Sequence, residues 1–351
     1  MNAAIEAAPR RLFRDREGAI ANTLVLSWTS LSWLAAFPLM AQPSIALNAI
    51  GVLLCTHTMV LAAYLIHEAA HHTLFIDHKA NHRAGETMSF IAGASYASFE
   101  RIRHMHIRHH LDRADLACFD FKRLMQRVPG LRRTLEAMEW AYVPATELLM
   151  HAQIVWRPFL ERSQHPHRPR AAAMLVVRLG LLTLLALWSV RALLLYGLAY
   201  VLFLHALNFF DAFHHTFEQY FVEPDEAAPP SDRNAAYEQR NTYSNLISRR
   251  WPWLNLLVLN FGYHNAHHQR ASVPWYRLPA YHRELYGENN GCEMPISGLL
   301  STWHHNRVRR VFAADYGKPG AGEGEGEGRR GGEGRADNFI GAHGVSFLTV
   351  I

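Results

Sequence analysis

Cysteine is scarce: only 3 of the 351 residues are Cys, and Cys55, Cys118 and Cys292 stand far apart with no C-x-x-C pair. That spacing suggests neither a disulfide framework nor a cysteine zinc site, and leaves three inert thiols. No G-x-G-x-x-G opens a nucleotide fold, and no haem-binding H-P-G-G occurs, since His165-Pro166 is followed by His167. Any redox chemistry must therefore draw its electrons from outside. No nucleic-acid motif accompanies the net charge of +5, so the positive balance points to an anionic membrane surface rather than to nucleic acid.

The most informative absence is charge itself. From Gly18 to Ile66 there is not one Asp, Glu, Lys or Arg. A bilayer core takes about 20 apolar residues per helix, so this length fits two spans, 20–40 and 44–66, with Pro38 to Pro43 as the turn. A second apolar block runs from Ala171 to Phe213, interrupted by Arg178 and Arg191. It fits spans at 171–190 and 192–213 if Arg191 sits in a very short turn and Arg178 snorkels to the cytoplasmic end. No Gly or Pro marks that turn, and one tilted, kinked helix is the alternative. Lys and Arg gather before, between and after the two blocks. By the positive-inside rule both termini and the His-rich segments then lie on the cytoplasmic side, for a bacterial chain at the inner membrane.

The remaining segments are read by composition. Residues 1–17 form a mixed-charge leader without a clear small-x-small cleavage site, and are read as retained. The 78–170 stretch, rich in Arg and His, holds only the short apolar run Met88 to Phe99, too short to span. The run Trp251 to Phe261, broken by Pro252, reads as a re-entrant or surface helix. Beyond Tyr316 the chain becomes Gly/Glu/Arg low complexity, with G-E-G-E-G-E-G at 322–328. Such a composition cannot offset its ordering entropy, so 317–351 is expected to be disordered and outside a domain spanning 18–316.

What the chain has in abundance is histidine, 23 in all, and in a fixed pattern. His106, His109 and His110 repeat the H-x-x-H-H spacing of His264, His267 and His268, and offsets of three and four residues put each trio on one face of a helix. His67, Glu68, His71 and His72 precede them. His67 and His71 share a face, while His72 is turned away. Neutral imidazole is the commonest ligand for zinc, copper, iron and nickel, and three such clusters, each following or adjoining an apolar segment, point to one shared polynuclear site. Asp112, Asp115 and Asp120 follow the second cluster, placed either to orient ligand imidazoles or to serve as surface charge.

H67-E-A-A-H71-H72, H106-I-R-H109-H110 and H264-N-A-H267-H268 together closely resemble the three-histidine-box signature of the membrane fatty acid desaturase superfamily. Order and placement both match, over about residues 15–312. The resemblance implies an all-α integral membrane protein with about four transmembrane helices in two hairpins and a cytoplasmic helical cap. That cap would hold two iron ions, which use O2 and two electrons to remove two hydrogens from an acyl chain. Its implied partners are an acyl-lipid or acyl-thioester substrate, a ferredoxin or cytochrome b5 type donor, and membrane lipids. Eight box histidines, His67, His71, His106, His109, His110, His264, His267 and His268, are the implied ligands. The resemblance adds a ninth after the fourth span, where His214 and His215 compete. His215 continues a helical stripe from Asn208 and Asp211, which favours it. Asp211, costly at the end of an apolar span, is expected to face the metals directly or through water.

Three alternatives stand beside this reading. A membrane di-iron hydroxylase acting on a lipid, carotenoid or other small molecule would carry the same boxes. H67-E-A-A-H71 also matches the H-E-x-x-H of zinc metalloproteases, with Glu68 as general base, but leaves the two H-x-x-H-H clusters unused. A metal carrier would usually place its ligands within the spans.

Overall fold

The computed structural model describes residues 11–117, 120–217, 220–222, 233–287, 293–294, 296–313, 317 and 339–342. Among the described residues four helices are long and apolar enough to cross a membrane. The first two are α1 (Gly18–Ala41) and α2 (Ile45–Ala70). Between them and the second pair come α3 (His78–Ala92), α4 (Phe99–Asp112), a short strand β1 (Asp115–Ala117), α5 (Phe121–Arg127), α6 (Pro129–Trp140) and α7 (Ala145–Leu160). The second pair is α8 (Arg168–Trp188) and α9 (Val190–Ala212). After it come β2 (Tyr220–Val222), α10 (Ala235–Arg240), α11 (His264–Gln269), α12 (Leu278–Tyr286), α13 (Ile296–Asn306) and α14 (Arg309–Phe312). The two strands pair in parallel, a small departure from the all-α expectation.

Local chemistry sets several of these boundaries. The Ser44 hydroxyl accepts from Leu47 N at the start of α2, and Ser189 from Ala192 N at the start of α9. Each supplies an acceptor to a donor that the first helical turn leaves free. The second apolar block is thus two helices broken at Ser189, not one kinked helix. Pro38 does not begin a turn as expected: α1 runs through it to Ala41 and turns only at 42–44. Proline removes one backbone donor there, a loss near the helix end that the remaining turns absorb. Arg191, expected in the second turn, begins α9 and donates to the carbonyl of Gln42 at 2.7 Å, tying that end of α9 to the first turn.

Helix α2 is the centre of the molecule. It packs on α1, α3, α4 and α9, and every residue from Thr58 to Ala70 is buried. A helix apolar all round is stable only when surrounded, by protein or by lipid. By contrast α8 buries only Ala171 and leaves Val176 and Leu187 more than two thirds exposed, the surface of a helix that faces lipid. The Arg178 guanidinium donates to the Phe90 carbonyl at the end of α3 and lies over the Phe90 ring.

The run Trp251 to Phe261 forms a 3-10 helix, Pro252–Val258, with Trp253, Leu256 and Leu257 at the surface. Of the 317–351 segment expected to stand outside the fold, all but 317 and 339–342 lies outside the described residues. Phe339 is fully buried, with its ring 5.2 Å from that of Phe213. The backbone of Ala342 bonds the carbonyl of Ala212, and Arg310 donates to Ile340 O. An F-I-G-A tetrapeptide carries enough apolar area to dock.

Candidate metal centre

Each histidine cluster reaches the centre by its own route. His67 and His71 end α2, the central helix. In α4, Ser98 caps the first turn and Glu86 accepts from Phe99 N. Arg103 then donates to Ala70 O at 2.9 Å, locking α4 against the last turn of α2. That contact brings His106 Nε2 within 2.7 Å of His71 Nε2. The third cluster sits on the six-residue helix α11, too short to hold its own position.

The segment Asn241 to Asn245 positions α11. Asn265 Nδ2 donates to Thr242 O, and the Ser244 hydroxyl bridges the side chain and backbone of Asn265. Asn245 bonds Gly262 O through its backbone and Phe213 O through its side chain. A Cβ at Gly262 would lie 2.4 Å from Asn245 O, so only glycine lets these two backbones meet. The signal of this segment in the sequence is R-N-T-Y-S-N-L, a run of hydrogen-bonding side chains between two apolar segments.

All nine proposed ligands converge, in two groups. His67, His71, His106, His110 and His267 form one; His109, His215, His264 and His268 form the other, with the candidate ligand atoms of each within 4.8 Å of one another. Nε2 atoms approach to 3.0 Å between His67 and His267, 3.1 Å between His267 and His110, and 2.9 Å between His264 and His215. Two imidazole nitrogens at right angles on a metal, each about 2.1 Å from it, lie about 3.0 Å apart. The donor set therefore fits a pair of metal ions.

The opposite ring nitrogens fix the tautomers. His109 Nδ1–H donates to Ala114 O at 2.8 Å and His268 Nδ1–H to Glu238 Oε1 at 2.9 Å. The Thr242 hydroxyl donates to Glu238 O and so accepts from His215 Nδ1–H. With the proton held on Nδ1, each Nε2 presents its lone pair to the centre. Burial, and then the neighbouring imidazoles, hold His106, His110, His215, His264, His267 and His268 well below the ordinary histidine range. Burial brings His109 to about 4. These seven imidazoles are neutral at pH 7, the state in which imidazole binds metal.

His72, with φ of 55°, turns out of both groups and meets His78 at 3.3 Å. His215 joins the second group and His214 does not. The reason is not the helical stripe, because α9 ends at Ala212 and His215 lies beyond it in a β-bridge with Thr242. His214 instead stacks on His264 at 4.0 Å. Asp211 also stands outside both groups. It lines a cavity of about 50 Å³, with His106, His109, His214, His215 and His264, which has room for a few water-sized molecules.

Of the three aspartates read either as orienting ligands or as surface charge, Asp115 lies 3.8 Å from His109 Nδ1. Asp112 pairs with Arg108 and Asp120 caps α5. The carboxylate that does orient a ligand is Glu238, itself held by Arg113 at 2.9 Å. Glu68 accepts from the Thr73 hydroxyl and Trp275 N. It is tied into the packing rather than aimed at a metal-bound water, which removes the support for a protease. The sequence pattern of the fatty acid desaturase family matches residues 43–292, more than half the chain. The chain belongs to the fatty acid desaturase family. No individual curated protein matches it. Family membership, the apolar helices and the histidine groups make this desaturase-family chain a membrane oxidoreductase.

Proposed function

We propose that this protein is an O2-dependent di-iron desaturase that introduces a double bond into an acyl chain held as a lipid or thioester. The division of nine histidines into groups of five and four is the observation that carries the reading. His67, His71, His106, His110 and His267 would hold one iron, and His109, His215, His264 and His268 the other. Irons so held would activate O2 against an unactivated C–H bond, which no side chain can attack.

The chain's own residues do the rest. Glu238, Thr242 and the Ala114 carbonyl keep three imidazoles in the metal-binding tautomer. Phe261 packs within 5.1 Å of His67, His214 and His264 and helps exclude water beside the cluster. In this reading α1 with α2 and α8 with α9 form two membrane hairpins, and their turns share one side through the Arg191 to Gln42 bond. The cap, both termini and the metal site lie on the cytoplasmic side, where a ferredoxin or cytochrome b5 type carrier supplies electrons.

Expression in a host of known lipid composition, followed by mass spectrometry, tests the reaction. An unsaturated product two hydrogens lighter, absent from a His106→Ala control, is expected together with about two irons per chain. A product one oxygen heavier would make the protein a hydroxylase instead. One zinc per chain would overturn the di-iron reading.

A further inference from the structure

Three carboxyl groups lead from the packing between α6 and α7 to the metal cavity, and the roles assigned so far use only the innermost. Glu139, near the end of α6, is 7% exposed and accepts from Thr146 N at 3.1 Å. Glu147, the residue after Thr146, is 4% exposed and accepts from Asn208 Nδ2 at 3.0 Å. Asn208 precedes Asp211 by three residues on α9, so the two occupy adjacent positions on one helix face. Asp211 lines the cavity bounded by His106, His109, His214, His215 and His264.

The charged and titratable groups around this row are few. Glu147 is faced by Asp211 and Tyr200 from α9 and by Glu139 from α6. Glu139 is faced by Arg310 from α14. Among the described residues no cation pairs with Glu147. Burial, then Asp211, then Glu139 push Glu147 up to about 8. Burial pushes Glu139 up to about 7, against the opposing bonds from Thr146 and Ala145 and the charge of Arg310. A buried carboxyl beside like charges and without a cation keeps its proton near neutral pH.

The proposed reaction has use for such a proton. Desaturation balances as R–CH2–CH2–R′ + O2 + 2 e⁻ + 2 H⁺ → R–CH=CH–R′ + 2 H2O. The external carrier supplies the electrons, the substrate supplies two hydrogens, and two protons must come from solution. The candidate ligand imidazoles around the cavity, those of His106, His109, His215 and His264, are neutral and have no proton to give on their Nε2 side. We propose that Glu147, reloaded from solution through Glu139, is the proton inlet of the metal cavity and passes protons inward to Asp211. The inference rests on the desaturase reading, and Glu147 acts through Asp211 as a positioning residue rather than on the substrate.

Glu147→Gln keeps the acceptor for Asn208 and removes only the exchangeable proton. Two measurements on the purified full-length protein test the inlet. Infrared titration from pH 5 to 9 should show a buried protonated carboxyl that deprotonates near pH 8 and is lost in Glu147→Gln. Turnover of the iron-loaded variant should show unchanged KM and iron content, with kcat reduced about a hundredfold and less product per electron delivered. The wild-type pH profile should show a limb near 8 that the variant loses. Glu139→Gln, farther from the cavity, should lower kcat in the same direction with KM unchanged. Wild-type kcat and pH profile in both variants would overturn the inlet, as would a carboxyl band unaffected by Glu147→Gln. Absence of any dehydrogenated product with every donor tried, alongside the expected band, would instead overturn the desaturase reading.

Discussion

Glu238 Oε1 lies 2.9 Å from His268 Nδ1, across 30 residues of sequence, and the same carboxylate is held by Arg113. The pair fixes which nitrogen of His268 carries the proton. Glu238→Gln should leave the fold intact and weaken metal binding, because a neutral amide orients the ring without raising its basicity. A loss of about tenfold or more in iron affinity is expected, read by competition with a chelator. Unchanged affinity would show that packing alone orients His268.

His214 and His215 are neighbours with different duties. His215→Ala should remove at least one iron and all activity. His214→Gln should retain both irons, because His214 stacks on His264 and belongs to neither ligand group. Asp211→Ala should impair turnover more than folding, since Asp211 lines the cavity without joining the ligands. Metal analysis of the three variants decides the assignment. Iron lost from His214→Gln but kept in His215→Ala would reverse it.

Acid should unfold the metal-free protein early. Eight of the nine ligand histidines have folded-state pKa values pushed below the ordinary 6.5, mainly by burial. Between those values and about 6.5 the unfolded chain binds more protons. Stability is therefore full above about pH 6.5 and falls as pH drops. Glu139, Glu147 and Glu238, with raised values, act with the opposite sign, but they are three groups against eight. Thermal midpoints of metal-free protein should fall from pH 7 to 5, while iron-loaded protein should hold its midpoint longer. Parallel curves for the two forms would count against the histidine cluster as the acid-sensitive element.

The buried tetrapeptide in the tail should be measurable as stability. Phe339 is fully buried against Phe213, and Phe339→Ala should cost about 3 kcal/mol by the usual range for a buried aromatic. Truncation after Tyr316 should lower the midpoint similarly and, because Ala342 bonds the end of α9 beside His214 and His215, reduce iron retention. A truncated protein as stable as the full chain would place the segment outside the fold.

The sequence by itself determined the spans and the ligand types. Both are local: a run of residues without charge cannot be read as anything but buried or lipid-facing helix, and three- and four-residue offsets set a helical face wherever the helix lies. The partition of His109 from His106 and His110 was not legible, because it depends on α4 lying between α2 on one side and the segment from His215 to Thr242 on the other. Nor was the choice of Glu238 over Asp112 and Asp120 as the carboxylate behind a ligand. A carboxylate reaches an imbalanced imidazole only through the docking of separate segments, and here Arg113 and α10 provide that docking. Composition read the tail as unable to fold alone, and that average hides Phe339 and Ile340. A groove between Phe213, Trp303 and Tyr243 exists only after the chain has folded, and the tertiary structure decided that four residues of the tail would fill it.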